Sequence, residues 1–158
     1  MIIGVIGGSI VDDSIIALAE TVGREIAKHG KMLVCGGLGG VMQAACKGAR
    51  AEGGITIGIL PGSETSTANP YVSVPVATGI GVARNVIIVR TADAVVAVDG
   101  SYGTLSEIAI ALNLGKPVIA LKSWDLPKAG KVSKDLFTVA NDPHSAVQLA
   151  IQRAAQKY

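Results

Sequence analysis

The chain has 158 residues, 49% of them apolar and only 3% aromatic, and its 14 Lys and Arg against 12 Asp and Glu leave a formal charge of +2. That length suits one domain over 1–158 with a core that stands without disulfides or metal, and the core must be built from Val, Ile, Leu, Ala and Gly. The small, dispersed charge and the scarcity of aromatic platforms argue against a nucleic-acid surface.

No apolar run reaches the length of a membrane span, and "MIIGVIGG" lacks the basic start of a signal peptide. Cys35 and Cys46 have neither metal spacing nor a disulfide framework, so the expectation is a reduced, cytoplasmic protein with no metal site of its own. "MIIGVIGG" (1–8) reads as a buried strand because it is apolar throughout. Residues 13–29 set Ile15, Leu18, Ala19, Val22 and Ile26 on one face and Glu20, Arg24 and Lys28 on the other, the period of a helix lying on a sheet; Gly30 ends it. "KMLVCGG" (31–37) predicts a second strand, 40–52 a helix closed by Gly53 and Gly54, and "ITIGIL" (55–60) a third strand.

Pro61, Gly62, Pro70 and Pro75 break this rhythm, which predicts a loop over 61–79 with one short strand at 71–76. A helix follows over 81–91, a strand over 93–98, a helix over 104–114 and a strand over 117–121. Residues 123–135 are polar and irregular, and "LFTVA" (136–140) predicts a last strand. Asp142 and Pro143 supply an N-cap and a first-turn proline for a helix running to about 157. Apolar strands alternating with helices predict an α/β fold: a mostly parallel sheet of six or seven strands with helices on both faces. Ligands of such sheets bind at the carboxyl ends of the strands, where the strand order reverses.

Three glycine-rich turns follow predicted strands, and they supply the candidate ligand-binding residues. These are Gly7, Gly8 and Ser9; Gly36, Gly37, Gly39, Gly40 and Met42; and Gly100, Ser101, Tyr102, Gly103 and Thr104. Glycine lets a ligand approach the backbone amides, and a helix N-terminus favours a phosphate. Any one turn is also explained as a tight connection, but three on one sheet edge point to a shared anion cleft. Neither G-x-x-x-x-G-K-[ST] nor G-x-G-x-x-G is satisfied, and the second strand ends in Cys35 rather than an acid, which argues against a P-loop NTPase and against NAD. His29 and His144 stand apart near helix ends and read as surface residues.

Two charged residues have competing readings. Thr104-Leu105-Ser106-Glu107 has the form of a capping box, which explains Glu107 without chemistry; the same position beside the third glycine turn would let a carboxylate meet a bound sugar. The residues alone favour the cap. Arg84 falls away from Val82, Val86 and Val89 on a helical wheel and reads as solvated, although a cation in a first helical turn opposes the dipole and points to an anionic partner. "VIIV" (86–89) and "IAIALNL" (108–114) are apolar on more than one face, which predicts a homodimer or a multiple of one, such as a tetramer.

"IGVIGGS", "GGLGGVMQAACKGARAEGGITIGILPG" and "GIGVARNVIIVRTADAVVAVDGSYGTLSEIAIALNLGKPVIAL" occur in that order over residues 2–121. Together they resemble the Rossmann-like family that includes the Lonely Guy phosphoribohydrolases and the molybdenum cofactor carrier proteins. The resemblance implies a three-layer Rossmann-like sandwich. It matches Arg84 and Glu107 to the arginine and catalytic glutamate of enzymes that release the base from nucleoside 5′-monophosphates, and Gly100, Gly103 and Thr104 to their phosphate loop. Asn85, Asp99 and Ser101 depart from that pattern, and Asp99 brings a negative charge close to the phosphate position. The carrier proteins share the short chain and "ARN", and the sequence looks closer to them. The expectation is a homo-oligomer that holds molybdenum cofactor, or a similar phosphorylated heterocycle, without turnover; the phosphoribohydrolase is the alternative. Nothing resembles a pyridoxal phosphate lysine motif, which argues against the decarboxylase label sometimes given to the family.

Overall fold

Strands that are apolar on both faces need cover on both sides. The computed structural model describes residues 1–126 and 135–156. Among these, one seven-stranded parallel sheet lies between two helical layers. Its elements are β1 (Ile2–Gly7), α1 (Asp13–Lys28), β2 (Met32–Cys35), α2 (Val41–Ala51), β3 (Thr56–Leu60), β4 (Val74–Ala77), α3 (Asn85–Thr91), β5 (Ala94–Val98), α4 (Tyr102–Asn113), β6 (Val118–Leu121), β7 (Phe137–Ala140) and α5 (Pro143–Ala155). The strand order is β4-β3-β2-β1-β5-β6-β7. The chain therefore winds outward from β1 through β4, returns, and winds out the other way from β5. That reversal opens a crevice at the carboxyl ends of β1 and β5, which pair from Ile3↔Ala94 to Gly7↔Val98.

Successive side chains of a strand point to opposite faces, so Val5 enters one core and Ile6 the other. The first core joins Ile3, Val5, Leu33 and Val96 to α1, α2 and α5; the second joins Ile6, Val34, Val95 and Ala97 to Ile88 and Val89 of α3 and Ile108 and Ala111 of α4. Asp12 caps α1 by accepting from the amides of Ser14 at 2.9 Å and Ile15 at 3.1 Å. Asp142 caps α5 in the same way, accepting from the Ser145 amide at 2.9 Å with Pro143 at the first turn.

Several local expectations are corrected. The short strand is Val74–Ala77 rather than 71–76, because Asn69 Oδ1 accepts from the Tyr71 amide at 3.0 Å and holds the preceding residues in a turn. The helix expected over 81–91 is a 3₁₀ turn (Gly81–Arg84) followed by α3. His29 and His144 lie at the surface as expected but do not stand apart: His144 Nδ1 lies 3.0 Å from Glu25 Oε2 because α5 packs beside α1, and His29 Nδ1 lies 2.8 Å from the Glu25 carbonyl one turn back. Burial works to raise the Glu25 carboxyl, but the hydrogen bonds from Lys28 and His144 outweigh it and hold the group below its ordinary value. Cys35 and Cys46 are free, buried and in contact, Sγ to Sγ 3.5 Å. Of the irregular stretch 123–135, residues 127–134 lie outside the described residues, as do 157 and 158.

Helices α1 and α2 cross with their backbones almost touching. A Cβ at Gly48 would run into the carbonyl of Glu20, and one at Gly23 into that of Ala45. Gly48→Ala is expected to destabilise the fold by about 1–3 kcal/mol through overpacking, seen as a lower urea midpoint with an unchanged slope.

Candidate ligand-binding site

The crevice is a cleft of about 300 Å³, at the small end for small-molecule sites. Gly7, Gly8 and Ser9 form one wall, with Val5 and Ile6 behind them, Gly36, Leu38 and Met42 the next, and Ser101, Gly103 and Thr104 a third; Pro61, Val82, Arg84, Asn85 and Glu107 complete it. The walls interlock. The Val41 amide donates to the Gly8 carbonyl at 2.9 Å, tying the first turn to the start of α2. A Cβ at Gly7 would lie 2.7 Å from Val41 Cγ1, and one at Gly36 would lie 2.7 Å from both Arg84 Nη2 and Met42 Sδ. All three predicted turns thus meet in one place.

Five of the predicted residues shape the turns without lining the cleft. The Gly37 carbonyl accepts from the Asn69 amide at 2.9 Å. Gly39 lies beside Ser9, and Gly40 is packed against the Gly8 carbonyl. Gly100, at φ 109°, leaves no room for a Cβ beside Thr104. Tyr102 stands at the rim, 81% exposed. Gly103 is the opposite case: it lines the cleft, and nothing lies within 4 Å of where its Cβ would be. Asp99, a non-glycine residue at φ 51°, does not line the cleft; its carboxylate lies against Gly8, 3.2 Å from where a Cβ there would sit.

Glu107 is not a cap. Helix α4 starts at Tyr102 with Ser101 as its N-cap, which puts Glu107 in the second turn, beyond reach of the free amides. Its side chain is buried and lines the cleft. Burial pushes the carboxyl up to about 7, with the Arg84 charge opposing the shift. Nor is Arg84 solvated: it is partly buried in the cleft wall, and burial lowers its pKa against the opposing pull of Glu107.

A relay fixes the guanidinium. Arg84 Nη1 donates to Asn85 Oδ1, Asn85 Nδ2 donates to Ser106 Oγ at 3.3 Å, and Ser106 Oγ donates to the Gly103 carbonyl at 2.7 Å. Arg84 Nε is left buried with no partner. Buried donors are seldom left unpaired, so this one marks a place for an acceptor. Sequence reasoning missed Leu38, Pro61, Val82 and Asn85 as wall residues. It also missed Asn69, whose Nδ2 donates to the Leu38 carbonyl at 3.0 Å and clamps the second turn; the Asn-Pro pair in "ANPY" was the available signal of a structured turn. Among the described residues, no group of three or more His, Cys, Asp or Glu side chains is placed to hold a metal ion, and no helix is long and apolar enough to cross a membrane.

A doubly wound parallel sheet with a glycine-walled cleft at its switch point defines a Rossmann-like α/β protein. The chain belongs to the SLOG cluster4 family, whose model matches residues 1–156. An uncharacterized protein of Archaeoglobus fulgidus is 49% identical over 122 residues, 77% of this chain and 80% of that one. Two solved structures are similar over almost the whole length. The molybdenum cofactor binding protein from the phototrophic bacterium Rippkaea orientalis gives a TM-score of 0.88 at 37% identity, covering 96% of this chain and 95% of that one. The molybdenum cofactor carrier protein MCP from Chlamydomonas reinhardtii gives 0.89 at 35% identity, covering 98% of each. The fold and the family resemblance read from the sequence both hold.

The raised Glu107 carboxyl makes a stability prediction with a definite sign. The folded chain keeps that proton up to about 7, whereas the unfolded chain releases it near the ordinary carboxylate value of 4.5. Ionised Glu107 therefore costs stability as pH rises through that window, and the cost is constant above it. Glu107→Gln is expected to be about 2–3 kcal/mol more stable than the parent at pH values above about 8, and less than about 1 kcal/mol more stable near pH 5. Urea unfolding at the two pH values measures it; equal gaps would remove the buried-carboxyl account.

Proposed function

We propose that the chain is a cytoplasmic binding protein for a phosphorylated heterocycle, with molybdenum cofactor as its cargo, held without turnover. The observation that carries this reading is the convergence of three glycine turns on one cleft where Gly103 leaves its backbone open and Arg84 Nε lacks an acceptor. The solved relatives at 35–37% identity, named as molybdenum cofactor binding and carrier proteins, support the choice of cargo. In this reading the amides of Gly7, Gly8 and Gly103 and the hydroxyls of Ser9, Ser101 and Thr104 hold the phosphate. The α4 N-terminus adds about half a positive charge. A ligand oxygen satisfies Arg84 Nε, and the protonated form of Glu107, whose carboxyl burial raises to about 7, donates a hydrogen bond to the ligand.

Gly103→Leu places a bulky side chain where a Cβ meets nothing within 4 Å. It is expected to weaken binding of a phosphorylated ligand by about tenfold or more, about 1.4 kcal/mol, with the thermal midpoint little changed. Unchanged affinity in calorimetry would count against the cradle.

One observation favours a second reading. Because Glu107 does not cap its helix, its burial in the cleft opposite Arg84 is also what a phosphoribohydrolase would use: the carboxyl bonding ribose hydroxyls or orienting water, and Arg84 stabilising the departing base or the phosphate. Incubation with AMP separates the two. Release of adenine that Glu107→Gln abolishes would replace the carrier reading, whereas tight molybdopterin binding with no base release supports it.

We propose also that the chain assembles as a homodimer or tetramer through the α3–α4 face. Val82 is 85% exposed, Val86 is 38% exposed, and a groove between the two helices is lined by Val86, Ala109, Ile110 and Leu114, with Arg90 and Asn113. Val86→Asp is expected to lower the mass seen by light scattering; a monomeric parent protein would overturn the assembly.

A further inference from the structure

We propose that Tyr102 and Trp124 form an aromatic shelf on the rim of the cleft, which takes the planar heterocycle of the ligand while the glycine turns take its phosphate. The inference rests on the binding reading above and assigns a second half to that site.

The chain has one Trp, three Tyr and one Phe. Two of these five rings meet at this rim, with centroids 6.1 Å apart and planes inclined by 34°. The pair is fixed to the third glycine turn from both sides. Tyr102 opens α4 between Ser101 and Gly103, both of which line the cleft. Trp124 Nε1 donates to the Ser101 carbonyl at 3.2 Å, and its neighbour Ser123 donates through Oγ to the Asp99 carbonyl at 2.6 Å. The indole N–H is thereby satisfied, and both rings are held where the turn is held.

Trp124 packs one side against the second core, but Tyr102 has no such role: it is 81% exposed, more than any other aromatic ring among the described residues. The walls of the cleft carry the polar groups of the turns, one cation, one carboxyl and the apolar side chains of Leu38, Met42, Pro61 and Val82, but no aromatic side chain. A planar heterocycle gains from stacking on a π face while donors take its phosphate, and the Tyr102–Trp124 pair is an aromatic surface tied to the turn that carries those donors. Ring stacking tolerates any fused bicyclic heterocycle, so the ligand class is a purine or pterin carrying a phosphate arm.

Trp124 is the sole tryptophan and reports its own environment. The experiment compares GMP, ribose 5-phosphate and inorganic phosphate by calorimetry and by Trp124 fluorescence, on the full chain and on Tyr102→Ala and Trp124→Phe. GMP is expected to bind about tenfold tighter than ribose 5-phosphate and to quench Trp124, which ribose 5-phosphate does not. Tyr102→Ala should bring GMP to within about threefold of ribose 5-phosphate while leaving ribose 5-phosphate itself within about twofold. Trp124→Phe, which keeps a ring, should retain most of the preference. Equal affinity for GMP and ribose 5-phosphate overturns the shelf and leaves the phosphate cradle standing. An equal loss of both ligands in Tyr102→Ala overturns it too, because that pattern reports damage to the turn. Failure of all three compounds to bind removes the cradle, and the shelf with it.

Discussion

Everything at the carboxyl edge of the sheet depends on how closely three strand-end turns approach one another. Gly7 lies under Val41 and the Val98 carbonyl, Gly36 under the Arg84 guanidinium and Met42, and Gly40 against the Gly8 carbonyl. A methyl group at any of these places would push two elements apart. Because there is none, β1, β2 and β5 deliver their turns to one point and line a common space. The same absence of side chains lets α2 sit back on α1 at Gly23 and Gly48, which sets the helix whose first turn supplies Met42. Close packing of backbone is thus both what holds this side of the molecule and what creates its cleft.

The electrostatics of the cleft follow from that closeness. Arg84 and Glu107 are drawn into a wall with little water, and burial moves each towards its neutral form while the charge of the other resists. The relay through Asn85 and Ser106 to the Gly103 carbonyl anchors the guanidinium to the turn it faces. The buried, unpaired Arg84 Nε is a cost that the fold carries without a structural return. Such groups gather where a ligand completes the hydrogen bonding.

The architecture was legible because its signals are local. Continuous apolar runs, a 3.6-residue period in 13–29, and Asp-Pro before the last helix each identify an element from neighbouring residues alone. The glycine turns were legible for the same reason. Arg84 was misplaced because a helical wheel assumes 3.6 residues per turn from Gly81 onward, whereas Gly81–Arg84 is a 3₁₀ turn of three. Glu107 was taken for a cap because Thr104 looks like the start of a helix. Gly100, at φ 109°, and the extended Ser101 turn the chain two residues sooner.

The sequence by itself determined which segments become strands and helices, that the sheet is parallel and covered twice, and that glycine turns follow three of the strands. Hydrophobic period and backbone freedom are properties of adjacent residues, so they can be read in order along the chain. Which wall each residue joins was decided by tertiary structure alone. Cys35 meets Cys46, His144 meets Glu25, Asn69 clamps Leu38, and Arg84 faces Glu107, only after strands are ordered and helices docked. Burial and through-space charge act between residues far apart in sequence, and no local pattern encodes them.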